Sequence, residues 1–174
     1  MTQTLLDQDL LDQALVEEAT KKSGLIWVRG TGVAERALWH AWIDGAAYVV
    51  GGGPGEQPLD GLVDGGTARV LVRSKDKGGR LVAWTARVRE IPSGSPAWDA
   101  AVAELKGKRL NAPDGEAMPA RWAAECRLLS LTPQGPLEPP PDGSLAAAPV
   151  ASPATTRHPV PAALPRLLLK RKRR

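Results

Sequence analysis

Residues 37–50 read ALWHAWIDGAAYVV, and this stretch decides the predicted fold. Two apolar runs, residues 37–43 and 46–50, flank the dipeptide Asp44-Gly45. A two-residue turn between antiparallel strands needs positive φ, which glycine adopts freely and aspartate tolerates. We therefore predict a β-hairpin that turns at Asp44-Gly45.

The chain before the hairpin is predicted to form a helix and a strand. Apolar residues recur at helical spacing from Leu11 to Ala19, acidic residues come early, and two lysines come late. This charge order suits the helix dipole. We predict an amphipathic helix over residues 5–22 and a buried strand over residues 25–28.

The chain after the hairpin alternates between strand and turn patterns. In residues 68–73, Val70 and Val72 share one face, and in residues 81–91 the apolar face holds Val82, Trp84, Ala86 and Val88. Ser95-Pro96 combines a capping hydroxyl with a proline at the first helical position, and so predicts a second helix. A short helix around Arg121-Trp122 and a strand over residues 127–131 follow. The fold class is therefore α+β: a small antiparallel barrel with flanking helices, over residues 1–133.

Residues 134–174 differ in composition and charge from the rest. Nine of the 16 prolines lie there, with seven basic residues against two acidic ones. The first 133 residues hold 16 basic and 17 acidic groups, so their charge does not indicate a nucleic-acid-binding surface. We predict a disordered Pro/Ala-rich linker that ends in the basic cluster at residues 170–174.

Several functional classes lack their sequence signals. Cys126 is the single cysteine, so an intrachain disulfide is impossible and a reducing compartment fits. The acidic first 20 residues do not resemble a secretory signal, and no run is long enough to span a bilayer; we expect a cytoplasmic protein. The two histidines, His40 and His158, offer no metal-ligand spacing, and we expect no metal. Residues 51–55 lack the phosphate-loop and dinucleotide signatures.

The order of helix, strands, hairpin, glycine loop, long strand and final strand resembles the flavin-binding split-barrel family, which includes pyridoxamine 5′-phosphate oxidase. The resemblance is carried by residues 41–50 and 68–72, with support from residues 82–88 and 129–133. It covers most of residues 20–133. It implies a split β-barrel, a homodimer with its cofactor pocket between subunits, and FMN or a deazaflavin as the cofactor.

The resemblance also implies a set of cofactor-binding residues. In the family, the flavin phosphate is held by basic and hydroxyl side chains from two strands and from the loop after the hairpin. Glycine N–H groups can contribute to such an anion site, whereas Glu56 in this loop repels a phosphate unless it turns away. The candidates are Arg36, His40, Gly51, Gly52, Gly53, Gln57, Arg73 and Lys75.

Each of these features also has a purely structural explanation. The glycine run is typical of an ordinary turn, and the tryptophans at 27, 39, 42 and 84 are typical of core packing. Two functions remain open: an oxidoreductase that acts on a small substrate, and a noncatalytic interaction module. In the second, the basic tail contacts a polyanionic partner. For the tail itself we favour a solvated, disordered end that only aids solubility, because the cluster is short and has no aromatic partner.

Overall fold

The computed structural model describes the backbone of residues 2–139 and the side chains of residues 8–139. The predicted disordered tail lies, from residue 140 onward, outside the described residues. The elements in chain order are α1 (Thr2–Lys22), β1 (Leu25–Arg29), β2 (Arg36–Trp39), β3 (Ala41–Ile43), β4 (Ala46–Gly51), β5 (Thr67–Arg73), β6 (Arg80–Glu90), α2 (Pro96–Lys108), α3 (Met118–Glu125) and β7 (Arg127–Gln134), with a short 3-10 helix over Gly115–Ala117 before α3.

The strands of this range form one antiparallel sheet in the order β2-β1-β5-β6-β7-β4-β3. The two edge strands, β2 and β3, are consecutive in the chain and are joined through His40 alone. The sheet therefore curls until its edges meet, and it forms a nearly closed barrel. The predicted α+β class, with an antiparallel barrel and flanking helices, is confirmed.

The predicted hairpin forms between β3 and β4. Ala41 lies opposite Tyr48, and the turn places Asp44 at φ 46° and Gly45 at φ 80°. The prediction of one strand through residues 37–43 is wrong, because the strand breaks at His40. The His40 ring is buried and faces the carbonyl of Thr20 in α1, so this residue anchors a helix between two strands.

The barrel interior holds the main hydrophobic core. On β5 and β6 the predicted alternation is confirmed: Val70, Val72, Val82, Trp84 and Val88 are buried inside. Val16 of α1 is buried against the same core, so α1 packs across the barrel. This packing decides which faces of α1 stay open to solvent.

A second hydrophobic core joins α2 and α3 to the outside of the sheet. The stripe of α2 packs with Val50, Trp122 and Leu128. The helix begins as predicted, since Ser95 Oγ accepts from Trp98 N at 3.2 Å. The two helices therefore lie over β4 and the glycine loop that follows it, Gly51 to Pro58.

The contacts of the barrel continue past Pro133, the predicted end of the domain. β7 runs to Gln134, Leu137 packs against the main core, and Glu138 N donates to Ala83 O at 3.0 Å. Within the described part of the chain, no helix is both long and apolar enough to cross a membrane.

Candidate functional site

The predicted phosphate loop, Gly51 to Gln57, is packed against its own chain. A Cβ at Gly51 would lie 2.2 Å from Gln57 O, and one at Gly53 would lie 2.5 Å from Cys126 Sγ. The backbone donors are also engaged: Gly52 N donates to Gln57 O, and Glu56 N donates to Gly53 O. The glycines thus allow close internal packing, and these two N–H groups are used within the loop.

Glu56 supplies an internal anion at this loop. Its side chain is 1% exposed, and its carboxylate pairs with Arg109 at 3.1 Å and with Arg121 at 2.9 Å. Trp122 Nε1 also donates to Glu56 Oε1. The carboxylate thus uses the two arginines nearest the loop, and an external phosphate would have to displace it.

The Gln57 amide joins the two edges of the barrel. Its Oε1 accepts from Trp39 N at 2.9 Å, and its Nε2 donates to Trp39 O and Val50 O, each at 3.0 Å. Trp39 ends β2, whereas Val50 belongs to β4, which lies near the other edge of the sheet. All three bonds serve closure of the barrel, and both Nε2–H donors of Gln57 are used, so neither is left for a phosphate in this arrangement.

His40 and Arg36 each contact a partner outside the glycine loop, and the two partners differ. His40 is 2% exposed, and its Nε2 lies 3.0 Å from Thr20 O, so the ring donates there as its Nε2–H tautomer. The pKa of His40 is lowered to about 4: burial is the main cause and the charge of Lys108 adds to it, against the raising effect of the Thr20 carbonyl. Arg36 is exposed and pairs at 3.5 Å with Asp60, which is also exposed.

The two remaining candidates, Arg73 and Lys75, do come together. They border a groove of about 480 Å³ between α1 and the β5–β6 turn. We call it the α1–hairpin groove; its main walls are Leu15, Ala19, Arg73, Ser74, Lys75 and Leu81. Leu15 and Leu81 are 48% and 51% exposed, which gives the groove an apolar side.

Most charged side chains around the α1–hairpin groove have a partner of opposite charge, but Lys75 has none in the described part of the chain. Glu18 and Lys22 pair with each other, and Arg73 pairs with Glu35 at 3.0 Å while its guanidinium lies 4.2 Å from the Trp27 ring centroid. No acidic side chain among the described residues pairs with Lys75. The groove therefore combines apolar walls with a net positive rim.

A second groove, of about 360 Å³, lies on the outer face of β1, β5 and β6. We call it the arginine groove; it is lined by Arg29, Thr31, Thr67, Arg69, Thr85 and Glu138. Glu138 accepts from Arg69 through both carboxylate oxygens, at 2.6 and 2.8 Å, and this bond raises the pKa of Arg69. The partner that neutralises this groove comes from the proline-rich segment, which the sequence analysis had assigned to the tail.

Solved structures of other proteins are similar to this barrel in fold. The heme storage protein HutZ from Vibrio cholerae is 11% identical, with a TM-score of 0.51, and the match covers 71% of this chain and 90% of that one. This chain has the split-barrel fold. The predicted resemblance in fold is thereby confirmed.

Two further structures match with lower TM-scores. The flavocytochrome Anf3 from Azotobacter vinelandii matches at 14% identity and a TM-score of 0.47, over 89% of each chain. An FAD and heme binding protein from Mycobacterium smegmatis matches at 16% identity and 0.43, over 91% of this chain and 93% of that one. No protein-family model and no curated protein matches the chain. The candidate cofactor-binding positions are therefore judged from the geometry above alone.

Metal ligands do not cluster in residues 8–139. No group of three or more His, Cys, Asp or Glu side chains there is arranged to hold a metal ion. Burial raises the pKa of the Cys126 thiol, and the charge of Glu56 adds to the effect. The thiol therefore stays protonated more readily than an ordinary cysteine, which does not favour a nucleophilic role.

Proposed function

We propose that this split-barrel protein binds a flavin or deazaflavin cofactor in the α1–hairpin groove, with the anionic end of the cofactor on Arg73 and Lys75. One observation carries the proposal: apolar walls and unneutralised positive charge meet in a single groove. A flavin-type cofactor has a flat apolar ring system, which suits the apolar walls, and a phosphate, which suits the positive charge. The proposed setting is a cytoplasmic homodimer.

The size and chemistry of the groove fit this ligand class better than the glycine loop does. Ligand pockets in proteins usually measure about 300–1,000 Å³ and place a few polar groups on an apolar lining. The groove, of about 480 Å³, lies within that range. The guanidinium of Arg73 is held by Glu35 and Trp27, so it is oriented before a ligand arrives. In the loop, the buried Glu56 carboxylate pairs with both arginines, whereas in the groove Lys75 has no acidic partner among the described residues.

The chain's own part in any reaction is to bind and orient. A bound flavin or deazaflavin would supply hydride or electron transfer, the chemistry that side chains cannot perform. Arg73, Lys75 and Ser74 would hold the anionic end, and Leu15 and Leu81 would shield the ring from water. In the proposed enzyme, the bound cofactor would exchange hydride or electrons with a small substrate.

Titration of the purified full chain with FMN, and separately with a deazaflavin, tests the proposal. Saturable quenching of ligand fluorescence is expected. A charge-assisted contact contributes about 1.5–3 kcal/mol, so Arg73→Ala and Lys75→Ala should each raise Kd about tenfold or more. Lys77→Ala is the matched control, because Lys77 is exposed in the same turn and lies outside the groove. Absence of saturable binding, or equal effects of all three variants, would contradict the proposal.

The closed glycine loop favours a second candidate, a noncatalytic interaction module. In this function the basic residues 170–174 contact a polyanion, and no cofactor is needed. The chain would then bind neither FMN nor a deazaflavin. It would bind DNA or anionic vesicles with an affinity that falls steeply as the salt concentration rises. The same purified protein distinguishes the two functions.

A further inference from the structure

We infer that the surface of α1 around Asp9 and Asp12 is a docking site for residues 167–174 of the same chain, LLLKRKRR. This inference is independent of the proposed cofactor. It starts from a cavity of about 410 Å³ at the end of the barrel, between α1 and the segment after β7. We call it the barrel-end cavity; its walls include Asp9, Asp12, Gln13, Val16, Trp84 and Leu137.

The floor of the barrel-end cavity contains an unused hydrogen-bond donor. Trp84 is 1% exposed, and its Nε1 finds no acceptor among the described residues. A buried indole N–H without a partner is destabilising. Trp84 lines the cavity beside α1, so the resonance of its indole N–H should respond to a chain segment that binds there.

The rim of the cavity carries uncompensated negative charge. Asp9 and Asp12 are exposed or half-buried, and no basic side chain of the described part pairs with either; Asp12 accepts only from Gln8 Nε2, at 2.8 Å. The later acids of α1 differ, since Glu17 pairs with Lys21 and Glu18 with Lys22. Among the acids of α1 whose side chains are described, those without a basic partner therefore lie at the cavity end of the helix.

Apolar surface lies next to this acidic rim. Leu10 and Leu11 are each 64% exposed, so neither side chain is buried between α1 and the barrel. Residues 167–174 have the complementary order of features, three leucines followed by five Lys or Arg residues. The leucines can cover Leu10 and Leu11 while the basic side chains reach Asp9 and Asp12.

The length of the connecting chain permits this contact. The last residues of the described part, Gln134 to Leu137, themselves line the barrel-end cavity. Residues 140–166 provide 27 residues before Leu167. A chain of that length extends up to roughly 90 Å, about three times the ~31 Å length of a 21-residue helix. Because both parts belong to one chain, the effective concentration is on the order of millimolar, which lets a weak contact form.

The test compares amide and indole NMR spectra of two full-length proteins, the native chain and the variant K170Q/R171Q/K172Q/R173Q/R174Q. We expect changed shifts for the Trp84 indole N–H and for the amides of residues 9–16. D9N/D12N should abolish the difference, whereas E17Q/E18Q should preserve it. R157Q/R166Q is the matched control for the basic cluster, and it should leave the Trp84 indole unchanged.

Salt and dilution complete the test. The difference should disappear in about 1 M salt, where the screening length is about 3 Å, and it should not change on dilution. An unchanged Trp84 indole would overturn the inference. So would a shift that depends on protein concentration, because it would assign the site to a second copy or another partner.

Discussion

The indole N–H of Trp122 donates to Glu56 Oε1 at 3.1 Å and ties α3 to the glycine loop that the helix covers. Arg109, at the end of α2, and Arg121, in α3, pair with the same carboxylate. A single buried side chain therefore connects the loop to both outer helices. Glu56 thus helps to hold the two helices of the second hydrophobic core on the loop.

Replacing Glu56 by Ala should destabilise the protein. Loss of one member of a buried ion pair typically costs about 3–5 kcal/mol, and the lower end applies here because both arginines are more than a fifth exposed. Urea unfolding followed by Trp fluorescence measures the change. Glu125→Ala, an exposed change in α3, is the control and should alter the unfolding free energy by less than about 0.5 kcal/mol. Equal stability of the two variants would refute the role of Glu56.

Gly53→Ala should also destabilise the fold, for a steric reason. The new Cβ would lie 2.5 Å from Cys126 Sγ and 2.6 Å from Glu125 O, so the loop or α3 must shift. Overpacking of this kind costs about 1–3 kcal/mol. In Gly107→Ala the Cβ meets nothing within 4 Å, and in the last turn of α2 the change should stabilise by less than about 1 kcal/mol. Thermal unfolding of both variants shows whether their effects have opposite signs.

His40 should make stability depend on pH between about 6.5 and 4. Its folded pKa is about 4, below the ordinary value of 6.5, so the unfolded chain binds the proton more readily. The stabilisation is complete above pH 6.5 and is lost as pH falls toward 4. Between pH 7.5 and 5.5 the loss from His40 should be roughly 1 kcal/mol. Urea unfolding at both pH values checks this, and His40→Gln should remove that part of the slope.

Arg69→Ala should loosen the segment after β7. Arg69 holds Glu138 by two hydrogen bonds, and the backbone N–H of Glu138 donates to Ala83 O. Without the guanidinium, hydrogen exchange at the Glu138 amide should become several-fold faster, while exchange in β6 should stay the same. Arg87→Ala, an exposed change on β6, serves as the control. Unchanged exchange at Glu138 would show that the ion pair does not hold the segment.

Local patterns in the sequence predicted most of the elements. The Asp44-Gly45 turn, the alternation of β5 and β6 and the Ser95 cap depend on neighbouring residues, and each formed as expected. The break at His40 was missed because it depends on a contact with Thr20, which is remote in the sequence. The same limit explains why the strand over residues 127–131 was predicted too short: residues 132–134 pair with residues 85–87 of β6, which are remote in the sequence.

The candidate site was harder to predict than the fold. A glycine loop that packs against α3 and one that binds phosphate have the same sequence pattern, and only the positions of Arg109 and Arg121 around Glu56 distinguish them. Arg73 and Lys75 were among the candidates that the resemblance implied, and both line the α1–hairpin groove. Leu15 and Leu81, which complete their groove, were not, because a groove between α1 and the β5–β6 turn is set by helix packing.

The position of β7 has a consequence for how the barrel assembles. This strand, the last of the described sheet, lies between β4 and β6, with Ala47 opposite Leu131 and Val88 opposite the same leucine. A chain that has been synthesised only as far as α3 therefore leaves two strand edges without their shared neighbour. Pairing between segments so distant in sequence folds slowly, on the order of milliseconds to seconds. Until residues 127–134 emerge, the nascent protein exposes backbone edges that are prone to aggregation, and binding by a chaperone should be strongest in that interval.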